Sequence, residues 1–172
     1  MKRILFYILF LTFCIISGLS DGFAYAGEAL AGRFIGAKNK PMLHHMIKRI
    51  FFWGLMVSLV AVVVYTFFPD LILRLLTNDI AIIEETKNFM FWTVLIPLTG
   101  FAAFLWDGIF IGATASAEMR NAMILASVIF FLSYFLLTPM WGNNALWLSF
   151  IIYLAARGIA LTYMARKTFS YK

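Results

Sequence analysis

"NAMILASVIFFLSYFLLTPMWGNNALWLSFIIYLAA", residues 121–156, contains no charged side chain. A helix needs roughly 20 apolar residues to cross a bilayer. This run is therefore too long for one span and the right length for two. Pro139 and Gly142 lie where a break is required, so "TPMWGNN" (138–144) reads as a tight turn between two membrane helices. That hairpin settles the fold class, and the rest of the chain follows its pattern.

Working outward, residues 88–106 and 50–69 are also free of charge, as are residues 4–20. The last run continues past Asp21 through a segment rich in small residues to about Gly36. Hydrophobic residues make up 63% of the chain, charged residues 13%, and the mean hydropathy is +0.91, all far from the usage of a soluble domain. The fold class expected is an all-α membrane protein with five transmembrane helices, at about 4–34, 49–68, 88–112, 121–138 and 145–165. Between the second and third lies "DLILRLLTNDIAIIEETKN" (70–88), which mixes leucine and isoleucine with charge at helical spacing. It reads as an interfacial amphipathic helix over about 70–86, or else as a water-exposed connector capped by Asn78 or Asp79.

The net charge of +6 sits at the ends of apolar runs, which suits orientation in a bilayer rather than binding to nucleic acid. With five spans, Lys38, Lys40, Lys48, Arg49, Arg120, Arg166, Lys167 and Lys172 share one side, and Lys2, Arg3, Arg74 and Lys87 the other. The positive-inside rule then puts the C-terminus in the cytoplasm and the N-terminus outside. Lys2 and Arg3 work against that result. A second reading takes residues 1–18 as a secretory signal, with Ala24-Tyr25-Ala26 as its small-residue cleavage site, which would leave four spans.

Ionisable groups within the apolar runs are the candidates for chemistry, because such groups are costly in a membrane and usually face a bundle interior or a wet cavity. Asp21 and Glu28 are two helical turns apart and share a face; either could bind a proton or a cation, or pair with a basic residue of another helix. Asp107, between Trp106 and Gly108, is a further cavity or interfacial candidate. Arg157, in the middle of the last span, needs a carboxylate or water as a partner; Arg33 can snorkel to the headgroups. Gly18, Gly22, Ala26, Ala29, Gly32 and Gly36 recur every three or four residues, a pattern that lets helices pack closely or hinge. Pro97 lacks a helical donor and, with Gly100, marks a deformable midpoint of the third span. Trp53, Trp92, Trp141 and Trp147 stand near span ends as interface anchors.

Other chemistries lack their signatures. The sequence has no phosphate-binding glycine-lysine loop, no nucleophile elbow, and no histidine or cysteine spacing suited to a metal; its one cysteine, Cys14, cannot form an internal disulfide. The expectation is no enzyme, no cofactor and no metal.

Two stretches carry a resemblance. "DGFAYAGEALAGRFIGAKNK" (21–40) resembles the eighth transmembrane helix and following loop of the multidrug and toxic compound extrusion (MATE) family, closest to its DNA-damage-inducible, DinF-like branch. "LIPLTGFAAFLWDGIFIGAT" (95–114) resembles that family's tenth helix and the turn beyond it. The resemblance implies a secondary antiporter of twelve helices in two six-helix bundles, in the bacterial cytoplasmic (inner) membrane. Such proteins export cationic or amphipathic small molecules against a proton or sodium gradient. On that alignment the five spans are helices eight to twelve, an incomplete C-terminal bundle, and transport would need an N-terminal half as partner. Asp21, Glu28 and Asp107 fall in the matching motifs, whereas the family's first-helix coupling carboxylate and seventh-helix cation ligands have no counterpart here. A small membrane structural or accessory protein without transport is the competing expectation.

Overall fold

The computed structural model describes residues 18, 21–87 and 89–171, which form seven helices and no strand. Helix α1 covers 21–36, α2 Lys40–Phe67, α3 Pro69–Leu76, α4 Ile80–Lys87, α5 Met90–Gly112, α6 Ser116–Trp141 and α7 Asn143–Tyr171. Four of them, α2, α5, α6 and α7, are long and apolar enough to cross a membrane. Most of the first expected span, residues 4–17, 19 and 20, lies outside the described residues.

Several boundaries differ from the sequence reading, each for a local reason. Helix α2 begins at Lys40, not near residue 49, because the Asn39 side chain accepts a hydrogen bond from the Met42 amide at 3.2 Å. Pro41 adds a residue pre-set for the first turn. The basic stretch expected as a loop is thus the first turns of a helix. Helix α6 continues through Pro139 to Trp141, and Gly142 alone makes the turn, with φ of +52°, a conformation glycine adopts without steric cost.

The amphipathic segment is not one helix over 70–86 but two. Helix α3 stops at Thr77, and Asp79 starts α4 by accepting from the amides of Ala81 at 3.0 Å and Ile82 at 3.4 Å. Leu73, Ile82 and Ile83 close a small core across the break. Lys87 bridges the pieces, 2.7 Å from Asp70 and 3.3 Å from Glu84. Its hydrogen bond to Asp70, above all, holds the Lys87 ammonium pKa above the ordinary lysine range, with Glu84 adding to it.

Helix α5 is the centre. It packs against α2 and α7, while α6 touches chiefly α7. Ser58 of α2 donates to the Pro97 carbonyl at 3.0 Å, and Gly54 faces Leu105, so those two helices run in opposite directions. Contacts of Gly100 with Leu154, Ala102 with Gly158, Trp106 with Thr162 and Phe110 with Phe169 advance together, so α5 and α7 run the same way. The main core gathers Leu105, Trp106, Ile109 and Phe110 of α5 with Ile50 of α2 and Leu161 and Phe169 of α7.

Candidate functional site

Small residues bring α1 onto α5. A Cβ placed on Gly108 would overlap the backbone of Ala24, and one on Gly112 would overlap the backbone of Glu28. Both positions advance by four, one helical turn, so α1 and α5 run parallel with their main chains nearly touching. On the α1 side, Gly27 faces Ile109, and Gly32 approaches the Gly112 carbonyl, 3.3 Å from where its own Cβ would be. Gly18, Gly22 and Gly36 have nothing within 4 Å of an added Cβ, and Ala26 and Ala29 are exposed. Of the six small residues singled out in the sequence, Gly32 meets α5; the contact face is set by Ala24, Gly27, Glu28 and Ala31 instead. The four-residue spacing of Gly108 and Gly112, which the reading of the sequence passed over, is the signal for the other half of this contact.

One residue before Gly108, Asp107 turns toward α7. Its carboxylate oxygens accept from Arg157 Nη2 at 2.8 and 3.0 Å. The side chains are 19% and 13% exposed, so the pair is largely removed from solvent. Parallel packing of α5 and α7 makes this meeting possible, since it holds two residues 50 positions apart at one level. Asp21 of α1 stands near enough for its charge to act on Asp107. Arg157 keeps a buried Nε with no hydrogen-bond partner among the described residues. Three of the four ionisable candidates thus gather around the α1–α5–α7 junction. Glu28 is half-buried one turn further along, placed by its own backbone contact with Gly112.

The pair is flanked by an aromatic support that sequence reading did not single out. Trp106 donates from Nε1 to Thr162 Oγ1 at 2.8 Å, and Thr162 in turn donates to the Gly158 carbonyl at 2.7 Å. The same indole lies 5.0 Å from the Phe51 ring and stacks on Phe169 at 6.2 Å. Trp106 therefore ties α2, α5 and α7 together beside Asp107. Pro97 and Gly100 lie buried in an unbroken α5; Gly100 packs on Leu154.

A groove of about 480 Å³ runs between α5 and α7 over Thr99, Ala102, Gly158 and Thr162 and ends at Arg166. Neither Asp107 nor Arg157 lines it. The junction thus holds an ion pair largely removed from solvent, with a second carboxylate, Asp21, nearby.

Residues 4–136 match the family model described as MatE. Over 148 residues the chain is 39% identical to DNA damage-inducible protein F of Escherichia coli strain K12, covering 86% of this chain and 32% of that protein. It thus spans about a third of the length of the relative it matches. No solved structure matches it. With the MatE match running through all but the last of its membrane-type helices, this chain belongs to the MatE family.

Proposed function

We propose that the chain is the C-terminal part of an efflux antiporter for multidrug or organic-cation substrates, driven by a proton or sodium gradient and inactive without an N-terminal half. The observation that carries this reading is the Asp107–Arg157 pair, with Asp21 nearby, at the junction of three parallel helices. Ionisable residues at membrane depth mark ion and substrate pathways. Here Arg157 would hold Asp107 in its charged form until an entering cation competes for the carboxylate. Glu28 is the next carboxylate along α1. Pro97 and Gly100 would let α5 bend as the two halves alternate access. On the five-span reading the N-terminus lies outside, the C-terminus in the cytoplasm and α3–α4 along the interface.

The family membership and the shared third of the relative's length support this reading. The test is efflux of a fluorescent lipophilic cation from cells lacking other exporters. The chain alone should give none. Supplying the N-terminal half of a family member should give efflux that collapses with the ion gradient, and Asp107→Asn should abolish it. Undiminished efflux from Asp107→Asn would overturn the role given to the pair; no efflux from a well-accumulated two-part complex would overturn the transport reading.

A second reading has its own support. The charges of Asp107 and Arg157 are already matched inside the bundle, as expected of a membrane structural or accessory protein without transport. It predicts that neutralising either residue lowers protein level and leaves any efflux phenotype unchanged.

A further inference from the structure

The end of the molecule where α1 turns into α2 is strongly basic. Arg33, Lys38, Lys40, Lys48 and Arg49 lie within seventeen residues, with His44 and His45 among them, and no acidic residue occurs between Glu28 and Asp70. None of the five cations forms an ion pair with another described residue. The turn itself is well closed: the amides of Ala37, Lys38 and Asn39 bond to the carbonyls of Arg33, Ile35 and Phe34 at 2.9–3.0 Å. This charge is therefore carried on ordered backbone.

Directly beside it lies a groove of about 260 Å³ between the two helices. Leu30 and Phe34 of α1 and Met46 and Ile50 of α2 make its walls apolar, and His45 and Arg49, one helical turn apart on α2, stand on it as its polar groups. His44 points its Nδ1 to the Lys40 carbonyl at 3.0 Å and does not line the groove. Three other grooves among the described residues, between α2 and α3, α6 and α7, and α5 and α7, lack this combination. The one between α2 and α3 is lined by apolar residues and Tyr65, and the one between α6 and α7 by Ser127 and aromatic rings. The α5–α7 groove carries the single cation Arg166.

We infer that the α1–α2 groove binds one anionic phospholipid, an acyl chain lying against Leu30, Phe34, Met46 and Ile50 and the phosphate held by His45 and Arg49. A free phosphate would use the cations and leave the apolar walls uncovered; a zwitterionic lipid would fill the walls, but its headgroup ammonium offsets what its phosphate gains from the unpaired cations. A lipid whose headgroup carries a net negative charge uses both, and basic pockets between membrane helices are suited to such headgroups. The site is separate from the Asp107–Arg157 junction and does not depend on the transport reading.

The test is native mass spectrometry of the whole chain in mild detergent, offered phosphatidylglycerol, phosphatidylcholine of the same acyl chains, or inorganic phosphate. One phosphatidylglycerol should be retained about tenfold more strongly than phosphatidylcholine. His45→Gln with Arg49→Gln should remove that preference. Lys40→Gln, outside the groove, should keep most of it. Met42→Trp, at the groove's exposed mouth, should displace the lipid with no change of charge. Arg49→Lys keeps the charge and, with Met42→Trp, carries the test if the double variant fails to fold by circular dichroism. Equal retention of the two lipids would overturn the proposal. So would a loss from Lys40→Gln as large as from the double variant, or displacement by phosphate with Met42→Trp indifferent.

Discussion

Helices α5 and α6 are alike by composition and opposite in place. Both are long and apolar enough to span a bilayer, yet half of the most apolar stretch of α5 is buried and only 6% of that of α6. Helix α6 turns Leu125, Val128, Leu132, Phe135 and Leu136 outward and buries little beyond Ala122 and Ala126. Helix α5 carries Gly100, Gly108 and Gly112 against its neighbours and Asp107 against Arg157. The difference teaches that apolarity admits a helix to the membrane, while small residues and a charge draw it to the centre. Lipid tails are as apolar as leucine, so a leucine gains nothing from facing protein.

The sharpest way to break this comparison is to remove the charge. Arg157→Leu should cost about 3–5 kcal/mol, since a buried carboxylate loses its partner. Asp107→Leu combined with Arg157→Leu should recover most of that loss, because two apolar side chains then pack where two charges were desolvated. Both are read by unfolding in mixed detergent micelles followed by circular dichroism. A double variant no better than the single one would mean the pair does not interact.

Next in size is the close approach of α1. Gly112→Ala should destabilise by about 1–3 kcal/mol, since the Glu28 backbone in its way cannot rotate aside as a side chain would. Gly36→Ala, with open space around it, is the control and should cost nothing measurable in the same titration. Equal effects at the two glycines would show that α1 does not sit on α5 as described.

Smaller again is Ser58→Ala, which removes the hydrogen bond to the Pro97 carbonyl. Polar bonds between membrane helices are worth about 0.6 kcal/mol on average, so a shift of that order is expected in the same assay. At the far end of the scale, Leu132→Ala on the outer face of α6 should stay within about 0.5 kcal/mol. A large loss there would mean that α6 faces another protein rather than lipid.

Much of this was legible in the residues. The α6–α7 hairpin could be placed because 36 uncharged residues exceed one span and Gly142 supplies the turn. Arg157 could be assigned a need for a carboxylate because a lone cation at that depth is costly. Its partner could not be named, since Asp21, Glu28 and Asp107 all qualified until the register of α5 against α7 was known. The stripe of small residues on α1 showed that a close contact existed, but five of its six members lie away from α5. Spacings of three and four fit more than one face of a helix so rich in glycine and alanine, and the choice among them rests on what the neighbour offers. Trp106 read only as the neighbour of Asp107, although its indole joins three helices.

The sequence by itself determined the all-helical membrane class, the approximate places of the four membrane-type helices among the described residues, the turn at Gly142 and the basic charge between α1 and α2. These depend on local composition, because a backbone in hydrocarbon must satisfy its own hydrogen bonds and does so within each helix. Only the tertiary structure decided that α5 is central, that Gly108 and Gly112 seat α1, and that Asp107 rather than another carboxylate meets Arg157. Those outcomes depend on the rotation and register of one helix against the next. In a solvent as apolar as the side chains, rotation and register are set by shape and by a few polar contacts, which hydrophobic pattern does not encode.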